Sequence, residues 1–106
     1  MYGLLEPHGV AAREVARQYL RSATSVGANC AEASAGQSKA DFISKIAVAR
    51  KECREAIFWL RLMQEKAMVP GGVVIEDLSE ARQLAAILTA IIRKARESDA
   101  RGGGIP

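Results

Sequence analysis

The chain has 106 residues, enough for one domain, with 49% hydrophobic and only 5% aromatic residues and a net charge of +3. Ala, Leu, Ile and Val supply most of the apolar content, a mix that suits packed helices and excludes a β-sandwich. The charge falls short of a histone-like polyanion binder. His8, the one histidine, and two cysteines without a CxxC pair exclude a structural zinc site.

Residues 1–8 contain Gly3, Pro7 and His8 and read as a flexible lead-in; the predicted helical domain spans 9–98, and 99–106 read as a disordered tail. The first predicted helix covers residues 9–34. Ala12, Val15, Tyr19, Ser22, Val26, Asn29 and Ala33 follow a 3-4-3-4 spacing and share one stripe. Ala16, Leu20, Ala23, Gly27 and Cys30 form a second stripe beside it. Gly36 follows in a turn and suits a helix C′ position.

The second predicted helix covers 38–68. Ser38 is placed to cap it, with Asp41 three residues on. Phe42, Ile46, Ala49, Cys53, Ala56, Leu60 and Met63 hold an unbroken heptad rhythm. Around Ile57 to Met63 the helix is apolar nearly all the way round, so it must be covered on several sides. Val69-Pro70-Gly71-Gly72 is expected to end it.

The third predicted helix covers 75–98, with Leu78, Ala81, Ala85, Leu88, Ile92 and Ala95 on one stripe, widened by Leu84, Ile87 and Ile91. Glu76, Asp77 and Glu80 at its start and Arg93, Lys94 and Arg96 at its end match the helix dipole. Three helices this broadly apolar carry more greasy surface than three-helix packing needs. The surplus predicts a fourth helix or self-association.

The segment Leu20-Arg21-Ser22-Ala23-Thr24-Ser25-Val26-Gly27-Ala28-Asn29, then Ala31-Glu32-Ala33, resembles the four-helix-bundle proteins encoded in 23S rRNA intervening sequences. Ser38-Lys39-Ala40-Asp41-Phe42-Ile43, Lys51-Glu52-Cys53-Arg54-Glu55 and Phe58-Trp59-Leu60 agree in order and spacing, and the resemblance covers about residues 10–97. It implies an antiparallel up-down bundle and ring-shaped homopentamers; no activity is established for these proteins, and RNA as a partner is read from their genetic context. The related accessory proteins of diversity-generating retroelements bind a reverse transcriptase and nucleic acid. In the family another helix precedes the equivalent of the first one here. Met1 to His8 cannot supply it, which leaves a misplaced start or a shortened variant whose groove another copy fills.

Arg13, Arg17 and Arg21 lie four apart along one edge of the first helix. They read as a phosphate-contacting stripe or as a solvated face with Glu14 nearby. Few neighbouring aromatics are present, so base stacking there is unsupported. Lys45, Arg50, Lys51, Arg54 and Arg61 carry the surplus charge and read as an ordinary exposed face with i,i+4 pairs. Asn29 and Glu32 read as assembly or register residues, with Glu32 free to pair with a base of the second helix. Trp59 reads as core or oligomer interface. Cys30 and Cys53 read as small buried apolar groups, a disulfide being the alternative. Glu52 and Glu55 lack the Glu-x-x-His partners of a di-metal bundle, and Ser22, Thr24 and Ser25 lack a base.

The expectation is an all-α antiparallel up-down helical bundle, oligomeric, cytoplasmic and non-enzymatic, with no cofactor, metal or membrane partner. Its partners are other copies of itself, and RNA or a nucleic-acid-handling protein. The rival is a protein-interaction adaptor with no nucleic-acid contact.

Overall fold

The structure is a computed structural model and describes residues 9–36 and 38–100. The expected lead-in over 1–8 and the glycines at 102–104 lie outside the described residues. Three helices follow in order: α1 (Gly9–Ser34), α2 (Lys39–Glu65) and α3 (Gly71–Ala100). No strand occurs among the described residues.

The helices run antiparallel. Glu32 near the end of α1 pairs with Lys45 near the start of α2 at 2.9 Å. Lys39 at the start of α2 donates to the Ser98 hydroxyl at the end of α3 at 3.1 Å. At the other end, Ala12 and Val15 of α1 share a cluster with Leu60 and Met63 of α2 and with Val74 and Leu78 of α3.

The heptad stripe of α2 is the spine of the core: Ile46, Ala49, Cys53, Ala56, Leu60 and Met63 are all buried. The first stripe of α1 packs onto it through Ala12, Val15, Ser22, Val26 and Ala33. From the other side α3 brings Leu78, Leu88 and Ile92. Among the described residues α1 and α3 both pack on α2, and their backbones do not meet. The result is a flat three-helix layer of 59 × 20 × 14 Å. Its radius of gyration is 16.9 Å, where a compact domain of this length would have about 13 Å.

The turns account for the differences from the expected boundaries. Ser38 caps α2 as its spacing predicts, its hydroxyl accepting from the Asp41 N–H at 3.0 Å. Gly36 is not left-handed. A Cβ there would sit 3.0 Å from the Asp41 carboxylate and 3.1 Å from the Ala33 carbonyl, so glycine fits this tight turn without either neighbour having to give.

α2 stops at Glu65, earlier than the expected 68, because Ala67 turns left-handed with φ 50°. The Met68 N–H then reaches the Met63 carbonyl at 2.9 Å, and the Ala67 N–H reaches Gln64 at 3.2 Å. This is a Schellman closure with alanine in the position glycine usually takes. It folds Met68 and Val69 into the core, both buried. α3 starts at Gly71 rather than 75, directly after Pro70, whose carbonyl accepts from the Val73 N–H at 3.0 Å. Proline's fixed φ suits a helix start, so Pro70 launches α3; the stretch 69–72, expected to end α2, does not do so, because the Ala67 turn has already ended it. α3 also continues to Ala100, two residues into the span expected to be a tail.

Candidate functional site

Because the backbones of α1 and α3 do not meet across α2, an open groove runs between them. The second stripe of α1 forms one wall. Cys53 and Ala56 lie in the floor, and Asp77, Glu80 and Leu84 stand opposite. This part encloses about 400 Å³. A smaller hollow of about 90 Å³, bordered by Leu20, Val69 and Val73, continues it and shares Tyr19 and Asp77. The walls are greasy and wet: Leu20 is 57% exposed and Val73 55%. Burial, then the charges of Asp77 and Glu80, push the Tyr19 phenol up, so it stays protonated. Both cysteines border the groove as free thiols, Cys53 buried and Cys30 only half-buried. Burial also pushes the Cys53 thiol up, and its S–H donates to the Ala81 carbonyl at 3.3 Å, which leaves it a poor nucleophile.

The α1–α2 seam holds a polar knot. Ser22 has no exposure and Glu52 is 8% exposed. Arg21 crosses from α1 and donates to Glu52 at 3.3 Å, to the Ser22 hydroxyl at 3.2 Å and to Glu55. The Trp59 indole N–H points at the same Glu55 carboxylate at 3.5 Å. Partial desolvation pulls the Glu55 carboxyl up. Hydrogen bonding from Trp59, the charge of Arg21 and hydrogen bonds from Arg21 and Ser22 outweigh it and hold the group below the usual carboxylate range. The carboxylate pair therefore clamps a guanidinium.

Arg17 is engaged by Glu14 of its own helix at 2.7 Å, and Arg13 is exposed. Glu32 bridges to Lys45. The Asn29 amide donates to the Ser25 carbonyl and hydroxyl at 2.9 and 3.2 Å, within α1. Trp59 is half-buried, with its ring 4.9 Å from that of Phe58 in an edge-to-face contact. Arg13, Arg17 and Arg21 share an edge of α1, but Arg21 leans into the seam while the other two face water.

Sequence reading passed over one grouping. Arg50 of α2 and Arg93 and Arg96 of α3 surround a single hollow of about 350 Å³. Next to it, Arg54, Phe58 and Arg61 border another of about 360 Å³. The first joins residues more than 40 apart in the chain, which no local pattern signals.

With the geometry in hand, the sequence profile described as "23S rRNA-intervening sequence protein" matches residues 8–90. The chain belongs to that family. A solved structure agrees: a protein with unknown function from the S23 ribosomal protein family of Bacteroides thetaiotaomicron. It is 36% identical, with 74% of this chain and 72% of that chain covered and a TM-score of 0.71. None of the curated proteins matches the chain. The family's all-helical fold is thus the fold of this chain, and among the described residues no helix is long and apolar enough to cross a membrane.

Proposed function

We propose that this 23S rRNA-intervening sequence protein is a non-enzymatic cytoplasmic module that self-assembles into a ring and binds RNA. The carrying observation is the unclosed groove. Leu20, Val73, Leu84 and Ile87 are left in water along α1 and α3, and a further copy of the chain covers them. The two apolar stripes of α1 support this reading, since the core buries most of the first but only Ala16 of the second. Where the groove of one copy takes a different surface of the next, the contact is head-to-tail, and it makes a ring when the rotation between copies closes. Repetition around the ring would multiply weak phosphate contacts into useful affinity. Arg13 and Arg17 are the α1 candidates for those contacts. Arg21 joins only by giving up Glu52 and Glu55.

Light scattering at working concentration tests assembly. The expected mass is a multiple of 11.4 kDa. Placing glutamate at Leu20 and Leu84, beside the acids already on the groove, should bring the mass down to one chain. A folded wild-type particle of single-chain mass overturns the reading. RNA binding measured at two salt concentrations tests the second part, with a steep loss at high salt expected. An assembled protein that ignores RNA would favour the adaptor reading.

A further inference from the structure

On α2, Arg50, Arg54 and Arg61 fall within about 40° of one another around the helix axis, and Phe58 lies one turn beyond Arg54. Phe58 is two residues on from Ala56 and five from Cys53, so it sits about 140–160° around α2 from the groove floor. Phe58 therefore faces away from the groove, while Arg50, three residues before Cys53, sits only about 60° from that part of the floor, on the α3 side. α3 adds Arg93 and Arg96 beside Arg50.

These arginines have little competition. The acids bordering the two hollows are Glu65 and Glu97. Glu65 stands 3.7 Å from Arg61, and Glu97 stands 3.9 Å from Arg93, both loose pairs between largely exposed side chains. Among the described residues no carboxylate lies within ion-pair reach of Arg50, Arg54 or Arg96. This contrasts with α1, where Glu14 holds Arg17 and the Glu52–Glu55 pair holds Arg21. Between Arg54 and Arg61 the ring of Phe58 is 56% exposed, and the edge-to-face contact with Trp59 steadies it. A water-exposed aromatic flanked by guanidiniums combines what an unpaired nucleotide needs: a flat apolar surface for the base and fork-shaped donors for its phosphates.

We propose that the α2–α3 face carrying Arg50, Arg54, Phe58, Arg61, Arg93 and Arg96 binds single-stranded RNA, with a base stacked on Phe58 and phosphates held by the arginines. The proposal rests on the RNA-binding reading above and moves its contact surface from α1 to α2 and α3. The strand is single because a duplex buries its base faces and offers Phe58 nothing to stack on.

The test is fluorescence anisotropy of a labelled, mixed-sequence single-stranded RNA with the full chain, repeated across salt concentrations. Phe58→Ala should weaken binding by about 5- to 150-fold, the range for loss of one stacked base, without changing the salt slope. Phe58→Tyr should restore binding and Phe58→Leu should not. Arg54→Ala and Arg61→Ala should each flatten the salt slope by about 0.7, one phosphate contact on a single strand. Helix content and particle mass should be unchanged in all of them, since these side chains are exposed. Unaltered affinity in Phe58→Ala overturns the proposal, as does an equal loss of affinity for duplex RNA. A fall in particle mass would make the face a contact between copies and overturn it too. RNA binding lost in Arg13 and Arg17 variants but kept in these would return the contact to α1, sinking this proposal and sparing the broader reading. No binding by the wild-type assembly would sink both.

Discussion

Arg21→Met is the sharpest probe of the α1–α2 seam. The substitution keeps the aliphatic stem and removes the guanidinium from Glu52, Glu55 and Ser22 at once. The Glu52 side chain is 11% exposed, so its carboxylate would be stranded in a mostly dry seam. Removing one partner of a fully buried pair costs about 3–5 kcal/mol, and an exposed pair contributes about 0–1 kcal/mol. Arg21 itself is 46% exposed, so water reaches the pair and the cost falls between these limits, at about 2 kcal/mol. Urea unfolding at fixed protein concentration reads this out. With a slope of about 1–3 kcal/mol per molar, the midpoint should drop by roughly 0.7–2 M. Replacing Glu52 with Leu in the same chain should recover most of the loss, because an apolar pair of similar volume is often as stable as the ionic one. Arg17→Met, whose partner Glu14 is well exposed, should leave the midpoint in place. An Arg21→Met protein with an unmoved midpoint would refute the clamp and return Arg21 to the pool of phosphate-binding side chains.

Three further outcomes follow from the turns and the charged seam. Ser38→Ala removes the acceptor for the Asp41 N–H and should cost about 1 kcal/mol in thermal or urea unfolding. Ala67→Gly should stabilise by about 0.5–1 kcal/mol in the same assays, since it relieves a left-handed alanine at φ 50° against a smaller entropic penalty for glycine. The Glu55 carboxyl lies below the usual range in the folded chain. Its contribution is therefore complete above the unfolded value of about 4.3 and is lost as pH falls through the folded value. An acid titration of stability should show that loss below about pH 4, and Glu55→Gln should shrink it.

The elements themselves were written in local order. The α2 heptad from Phe42 to Met63, the paired stripes of α1 and the Ser38–Asp41 cap declared three long helices, and each reflects neighbours three or four residues apart. Residues that close in sequence must be close in a helix, so spacing alone reveals them. The surplus of apolar stripes was equally plain, and its consequence appears in the structure as the open side between α1 and α3. The family resemblance, carried by the Ser25-x-Gly27-Ala28-Asn29 run and the Phe58-Trp59-Leu60 motif, is matched by the family profile over residues 8–90.

Tertiary structure decided what depends on distance across the chain. Ala67 carries no mark of a left-handed turn; it adopts one because Met68 and Val69 are drawn into the core. Gly71 and Gly72 looked like a break and became the first turn of α3 once Pro70 set its direction. Arg21 looked like its neighbours Arg13 and Arg17 until α2 placed Glu52 and Glu55 opposite it. Arg50, Arg93 and Arg96 belong to separate helices and converge only when α2 and α3 pack side by side. Local spacing determines which side chains share a helix face. Which of those faces meet carboxylate, thiol, arginine or water depends on how the helices are stacked, and that is a property of the packed layer.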